Sequence, residues 1–272
     1  MESGDLSSRI EREKRFHDRW AGGVDPQDLD PRKVARCPTT PETACALKAL
    51  GALEGRRLLE IGCGTGELTS WLALEGAEVT ARDVSPRMIE VARRLARRSG
   101  VEASIRFEAG PGEMLPHEDG TFDLVFGHDV LHHMDLGRAM GEIRRVLRAG
   151  GRAVFAEPLG HNPVLNRYRA ASPETRTADE RPLLFGDFDR LRAGFSSMSH
   201  REFHLLTMAI FLWFRWVERL DPNRVRYWKR IIDEAERYRS AFRLLDAADR
   251  ALFAVFPPAR RWARMTVIVL DR

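Results

Sequence analysis

The chain has 272 residues, 43% of them hydrophobic and 31% charged, which suits one large α/β domain or a domain with an insertion and excludes wholesale disorder. Cys37, Cys45 and Cys63 form no CxxC pair, which excludes a disulfide scaffold and a paired-cysteine zinc site and suits a reducing, cytoplasmic setting. The net charge of +4 is uneven: from Leu159 onward there are 21 Lys/Arg against 14 Asp/Glu, and before it 23 against 26.

The opening MESGDLSSRIEREKRF is charged where a secretory leader would be apolar, and residues 5–20 carry Ile10, Phe16 and Trp20 at helical spacing, so an amphipathic helix is expected. AGGVDPQDLDP reads as a flexible connection; Thr40 then caps, and Pro41 opens, a helix through Leu50. From Arg57 the pattern alternates. RRLLEI, AEVTARD, ASIRFEA, FDLVFG and RAVFAE are short apolar strands, with helices over 67–75, 86–98 and 136–147 between them. Such strands, apolar on both faces, indicate a mostly parallel sheet covered on both sides. Residues 159–183 are rich in turn formers and are expected to be a long loop, a candidate lid. GDFDRLRAGF follows as a short helix, SMSHREFHLL and MTVIVL as a sixth and a seventh strand, and 207–262 as a helical block between those two. The most apolar run, 205–217, is shorter than the about 20 residues a bilayer-spanning helix needs and carries Arg215.

LLEIGCGTG, residues 58–66, sets three glycines and a carboxylate directly after a buried strand. A dinucleotide fingerprint requires G-x-G-x-x-G, whereas here the spacing is G-x-G-x-G with Glu67 next; a Walker loop requires Lys then Ser or Thr, and Gly66 is followed by Glu67-Leu68. A ligand with a cationic centre and an amino group remains. With Asp83 ending the next strand, E-x-G-x-G-x-G closely resembles the class I S-adenosylmethionine-dependent methyltransferases, in particular small-molecule enzymes of the type 11 kind. GEMLPHEDGTFDLVFGHDVLHHM and LRAGGRAVFAEP resemble that family's later strand-end motifs, in its order, over about residues 40–200.

The resemblance implies a Rossmann-like α/β fold with a seven-stranded, mostly parallel sheet, helices on both faces and a helical cap inserted before the last strand. The corresponding units are an N-terminal helix and lid (1–39), the cofactor-binding core (40–206), the cap (207–262) and the final core strand (263–272). It implies S-adenosyl-L-methionine as cofactor. Gly62, Cys63, Gly64 and Gly66 would let the backbone approach the methionine moiety, with Glu60 orienting it. Asp83 would accept from the ribose hydroxyls, beside Val84. Met88 would pack near the adenosine, Gly112, Glu113 and Met114 would flank the adenine, and His128 would lie at the pocket edge. Where many relatives carry an aspartate two residues before the Glu113 position, this chain has Pro111, which leaves adenine recognition to backbone groups.

Methyl transfer to a hydroxyl requires alignment and loss of a proton, for which an imidazole is suited and no metal is needed. His133 and His132 are the first candidates for the base, with packing beside the cofactor as the other reading, and His161 with Asn162 follows at the next strand end. Tyr168 and Arg176 are placed on the substrate side. Phe203, Phe211, Trp213, Phe214 and Trp216 cannot all face inward on one helix, which points to a cap over an apolar acceptor pocket or to packing between cap helices. The expected acceptor is a small, largely apolar metabolite such as a lipid, quinone or polyketide, methylated on oxygen. A cyclase that binds the sulfonium without transfer is the second hypothesis. Nucleic acid is disfavoured, because no binding module or flipped-base motif accompanies the arginines. Those arginines instead leave room for peripheral membrane or lipid contact, and the aromatic cap for a homodimer.

Overall fold

The computed structural model describes residues 3–272, and the chain runs through eleven α-helices and seven strands in that range, with short 3-10 turns between them. Helix α1 (Ser3–Ala21) is followed by α2 (Pro31–Ala35) and α3 (Pro41–Leu50). The alternating core is β1 (Arg57–Ile61), α4 (Glu67–Leu74), β2 (Glu78–Asp83), α5 (Pro86–Arg98), β3 (Ile105–Ala109), β4 (Phe122–His128), α6 (Leu136–Val146) and β5 (Leu147–Pro158). Then come α7 (Pro163–Ala170), α8 (Phe188–Arg192), β6 (Ser197–Phe203), α9 (Ala209–Trp216), α10 (Tyr227–Asp233), α11 (Ala235–Val255) and β7 (Met265–Asp271).

The strands form one sheet in the order β3-β2-β1-β4-β5-β7-β6. Strands β1 to β5 pair in parallel, and β7 runs antiparallel between β5 and β6. This is the mostly parallel sheet the alternation predicts, in the Rossmann-like arrangement the resemblance implies. Adjacent residues of β1 serve opposite faces: Leu58 packs with Val79, Phe126 and Val154, and Leu59 with Val125, Ile143 and Phe155. Both faces being covered, the central strands carry apolar residues on both sides, with charged residues at the strand ends and on the edge strand β3. The strand order reverses between β1 and β4, so the connections leaving their carboxyl ends go to opposite sides of the sheet, the position of the crevice where open α/β sheets bind ligands.

Two connections are more ordered than their composition led us to expect. Within the AGGVDPQDLDP stretch, Asp30 accepts hydrogen bonds from Arg32 N and Lys33 N and Pro31 takes the first turn, so 31–35 is helix α2. The expected loop 159–183 contains α7, capped by Asn162, which accepts from Val164 N and Leu165 N ahead of Pro163. Thr40 holds the N-cap position of α3 without a side-chain cap bond; its hydroxyl donates to Cys37 O instead.

The helices between β6 and β7 have their own core of Ile210, Phe214, Tyr227, Ile231, Tyr238 and Phe242. They are tied to the sheet by Asp249 of α11, whose buried carboxylate accepts from the backbone of Leu205, Leu206 and Thr207. The aromatic residues of the 203–216 run divide accordingly. Phe203 belongs to β6 and the sheet core rather than to the cap, Phe214 is fully buried, and Trp213 and Trp216 remain 51% and 71% exposed. No described helix is long and apolar enough to cross a membrane.

Candidate active site

At the end of β1 the backbone turns through Gly62, Gly64 and Gly66, at φ +74°, +51° and +81°, a region where an L side chain is strained. The three glycines have different jobs. A Cβ on Gly62 would overlap the Val130 side chain, one on Gly66 would lie 2.5 Å from Ala92 Cβ of α5, and one on Gly64 would meet nothing within 4 Å. Gly66 therefore permits α4 to pack on α5 and does not line the cavity, a correction to the expectation that all three approach a ligand. Gly64 is the one that opens onto space.

Asp83, at the end of β2, is pinned against this turn: Oδ2 accepts from Gly64 N at 2.9 Å and Oδ1 from Ser85 N at 2.9 Å. Burial raises its pKa, though the two amides and His17 work against that. Next to it, Arg82 holds the loop after β3. Its Nε donates to Pro111 O, Nη2 to Met114 O and Nη1 to Glu108. The proline that departs from the family pattern thus contributes its carbonyl. Glu60 is 3% exposed and its Oε2 has no hydrogen-bond partner. Burial pushes its pKa up to about 8, so the acid is largely neutral at pH 7 until a cationic donor meets it.

These groups line one end of a cavity of about 700 Å³ along the sheet's carboxyl edge, roofed by α1, α7 and the cap helices. Val84, Cys63, Gly112, Glu113 and His128 line it as well. The Cys63 thiol is pushed up by burial and by the Asp83 and Glu60 carboxylates, which makes it a wall rather than a nucleophile.

At the end of β4 the chain adopts φ +53° at Asp129, a conformation a non-glycine residue holds only where its surroundings enforce it. His128 places Nδ1 3.1 Å from Asp129 Oδ2 and Nε2 3.1 Å from Thr43 Oγ1. Burial disfavours the imidazolium, but the Asp129 charge prevails and raises the His128 pKa while Asp129 falls well below the carboxylate range.

His132 and His133 are adjacent in sequence and differ in their attachments. Glu157 of β5 is fully buried; it accepts from Val130 N, Leu131 N and His132 N, and His132 Nδ1 lies 2.8 Å from its Oε2. Against the cost of burial, this carboxylate raises the His132 pKa. His132 still lines the cavity, with 5% of its side chain exposed. His133 Nδ1 instead stands 3.2 Å from Glu13 Oε2, and 3.4 Å from Thr177 Oγ1. Glu13, on α1 and 4% exposed, also accepts from the Thr177 hydroxyl at 2.5 Å and lies 3.6 Å from His17 Nε2. Burial alone would raise its pKa; His133, His17 and Thr177 hold it well below the usual carboxylate range. Arg9, one turn earlier, donates to Glu113 and to His133 O, and Arg12 pairs with Asp179 at 2.6 Å. Helix α1 is thus sewn to both rims of the cavity.

Three sequence candidates lie elsewhere. His161 accepts from Phe185 N at 3.0 Å and stacks on the Phe185 ring outside the cavity wall. Met88 is fully buried beneath α1 with Val91 and Leu95, a core residue. Met114 is 55% exposed and only its carbonyl is used. Conversely, Glu13, His17, Thr177 and Glu157 were missed, because each acts through a partner more than 20 residues away.

Residues 59–155 match the family described as a methyltransferase domain. This stretch carries a methyltransferase domain of the class I S-adenosylmethionine-dependent kind. Methyltransferase GfsG of Streptomyces halstedii is 35% identical over 135 residues, 49% of this chain and 48% of that protein. A ubiquinone biosynthesis O-methyltransferase of Methylocella silvestris is 45% identical over 108 residues, 39% and 41% of the two chains. In structure, the YcgJ protein of Bacillus subtilis superposes with a TM-score of 0.55 at 21% identity, over 85% of this chain and 97% of that one, a likeness of fold. The chain thus spans about half the length of the curated relatives it matches, and the matched part is the cofactor end of this methyltransferase fold. The residues fit the family's cofactor on their own chemistry: an orphaned buried carboxylate oxygen at Glu60 for an ammonium, open backbone at Gly64, and a pinned carboxylate at Asp83 for hydroxyl donors.

Proposed function

We propose that this chain methylates a hydroxyl of a small, largely apolar metabolite, with His133 as the general base. S-adenosylmethionine, when bound, supplies an electrophilic methyl group on a sulfonium. Glu60, Gly62, Gly64 and Asp83 would hold it, with Val84, Gly112, Glu113 and His128 around it, and the chain's remaining task is to orient an acceptor and remove its proton.

The observation that carries this reading is the difference between the two neighbouring imidazoles. Both rings line the cavity with Nδ1 against a buried carboxylate, but Glu157 also braces the backbone of the His132 turn and leaves that side chain 5% exposed, whereas the His133 side chain, against Glu13, is 19% exposed and has its Nε2 to take a proton. A carboxylate behind an imidazole fixes its orientation and stabilises the cation formed on protonation. The helical segment 207–262 acts as the acceptor cap: Phe211, Trp228, Ile231 and Ile232 supply apolar wall opposite the sheet edge. The relative named for ubiquinone biosynthesis supports a ring-bearing, oxygen-methylated acceptor.

Glu13, His17 and His133, and likewise His132, His133 and Glu180, bring possible metal-ligand atoms within 4.8 Å of one another. Displacement at a sulfonium needs no Lewis acid, and we assign His133 and Glu13 to proton handling. The test is incubation with S-adenosylmethionine and a panel of phenols and hydroquinones, reading S-adenosylhomocysteine release. Turnover that survives chelator and collapses in His133→Asn supports the proposal. Turnover of the acceptor without S-adenosylhomocysteine would replace transfer by a cyclase-like reaction.

A further inference from the structure

At the far end of the cavity four guanidinium groups gather around aromatic rings. Arg176 lies over Tyr168, 5.7 Å from the ring centre, and Arg264 lies 5.7 Å over Phe211. Arg169 follows Tyr168 on α7, and Arg226, at the N-cap of α10, stands 4.0 Å over Trp20. Tyr168 and Phe211 pack on each other at 6.4 Å, and all four arginines line the cavity.

Their counter-charges are incomplete. Arg176 donates through Nη1 to Glu180 at 2.7 Å, yet its Nε is buried with no hydrogen-bond partner. Arg264 is 3.5 Å from Glu42, a carboxylate already paired with His204 at 2.7 Å. Arg169 donates to neutral oxygens only, those of Asn166 and Leu159, and among the described residues no carboxylate ion pair forms with Arg169 or with Arg226. Burial and the neighbouring Arg176 push the Arg169 pKa down to about 10. Glu180 and Asp129 attract Arg169 without forming an ion pair with it, and guanidinium groups crowded together with too few paired anions are unfavourable unless something supplies the missing charge. Their forked donors match the two oxygens of a carboxylate or phosphoryl group. Among the described residues, no hydrogen bond or ion pair joins any of the four to Glu60 or Asp83, the acids at the glycine turn.

We propose that Arg169, Arg176 and Arg226 bind an acidic group of the acceptor, a carboxylate or phosphoryl oxyanion, beside the Tyr168–Phe211 face. The inference rests on the methyl-transfer reading above and narrows its substrate to an apolar or aromatic body bearing an acid. The aromatic face takes the body and the guanidinium fork sets its register relative to His133.

Calorimetry on the full chain saturated with S-adenosylhomocysteine tests this with two matched pairs of probes, 4-hydroxybenzoate with its methyl ester and geranyl diphosphate with geraniol. The charged member of at least one pair should bind at least tenfold more tightly than its neutral partner, less so at high salt. The pair that discriminates tells carboxylate from phosphoryl. In the R169Q/R176Q double variant that ratio should fall to within twofold, while S-adenosylhomocysteine affinity stays within twofold of the original and so shows the variant folded. Equal binding within both pairs, no binding by any probe, or discrimination that survives the double variant would overturn the proposal. A parallel loss of S-adenosylhomocysteine affinity would also overturn it, assigning the guanidiniums to the cofactor's own carboxylate. Failure of the original chain to bind S-adenosylhomocysteine would instead sink the methyl-transfer reading beneath it.

Discussion

The glycine end and the arginine end of the cavity are assembled in different ways. The first is local: Glu60, Gly62, Gly64 and Asp83 lie within 24 consecutive residues, on two neighbouring parallel strands, and the β1–β2 register sets Glu60 beside Ala81 and Ile61 beside Arg82. The second is dispersed. Glu13 comes from α1, His133 from the turn after β4, Arg176 and Thr177 from the segment after α7, and Phe211 and Arg226 from the cap. A local site is carried by the sheet and tolerates change elsewhere; a dispersed one depends on α1 and the cap being docked, and its selectivity can change without disturbing the cofactor.

Substitutions at each end can sharpen or break this contrast. The largest effect is expected at His133→Asn, where loss of the base lowers kcat by roughly 10²–10⁴-fold with the KM for S-adenosylmethionine unchanged; an unaltered kcat would remove proton transfer from the arginine end. Gly66→Ala combines a left-handed φ with a 2.5 Å approach to Ala92, which no flexible side chain can relieve. It should destabilise the fold by about 2–4 kcal/mol in denaturant melts, whereas Gly64→Ala, strained but unobstructed, should cost only about 1–2 kcal/mol and act on cofactor affinity.

Asp83→Asn weakens S-adenosylhomocysteine binding by about 10–100-fold, in line with loss of charged hydrogen bonds worth about 1.5–3 kcal/mol, and leaves acceptor selectivity intact. Glu13→Gln removes the charge behind His133 and lowers kcat by about tenfold, again with cofactor affinity unchanged; a matching fall in that affinity would show that the two ends are not separable.

The subtlest readout is the proton of Glu60. Its folded pKa of about 8 lies above the ordinary value of 4.5, so between these values the folded chain holds more protons than the unfolded one and its stability falls as pH rises through that window. An ammonium ligand favours the carboxylate. Binding at pH 7 should therefore release a fraction of a proton and tighten as pH rises towards 8, measurable by calorimetry in two buffers of different ionisation heat. Glu60→Gln should abolish the release.

Sequence patterning reached the glycine end because its determinants are short-range. Spacing of Gly62, Gly64 and Gly66 rejected the dinucleotide and Walker loops, and the apolar strands announced the sheet. It misassigned Gly66, because only the packed α5 shows that Ala92 is what a Cβ there would strike. Some signals were present and unread: Asn162-Pro163 and Asp30-Pro31 are cap-and-first-turn pairs, and each starts a helix inside a stretch expected to be loop. Others were absent. Nothing in Glu13-x-x-x-His17 beyond helical spacing tells that this face meets His133, since that contact depends on how α1 crosses the sheet edge.

From residue order alone came the strand–helix alternation, the acid-tipped strands and the cofactor loop, because backbone conformation and strand burial are written in neighbours and in a period of two. Tertiary packing alone decided which buried carboxylate stands behind each of two adjacent histidines and where the arginines gather. Those outcomes are set by how helices far apart in the chain meet over one crevice, where burial, charge and missing partners act together on groups that are unremarkable when each is taken singly.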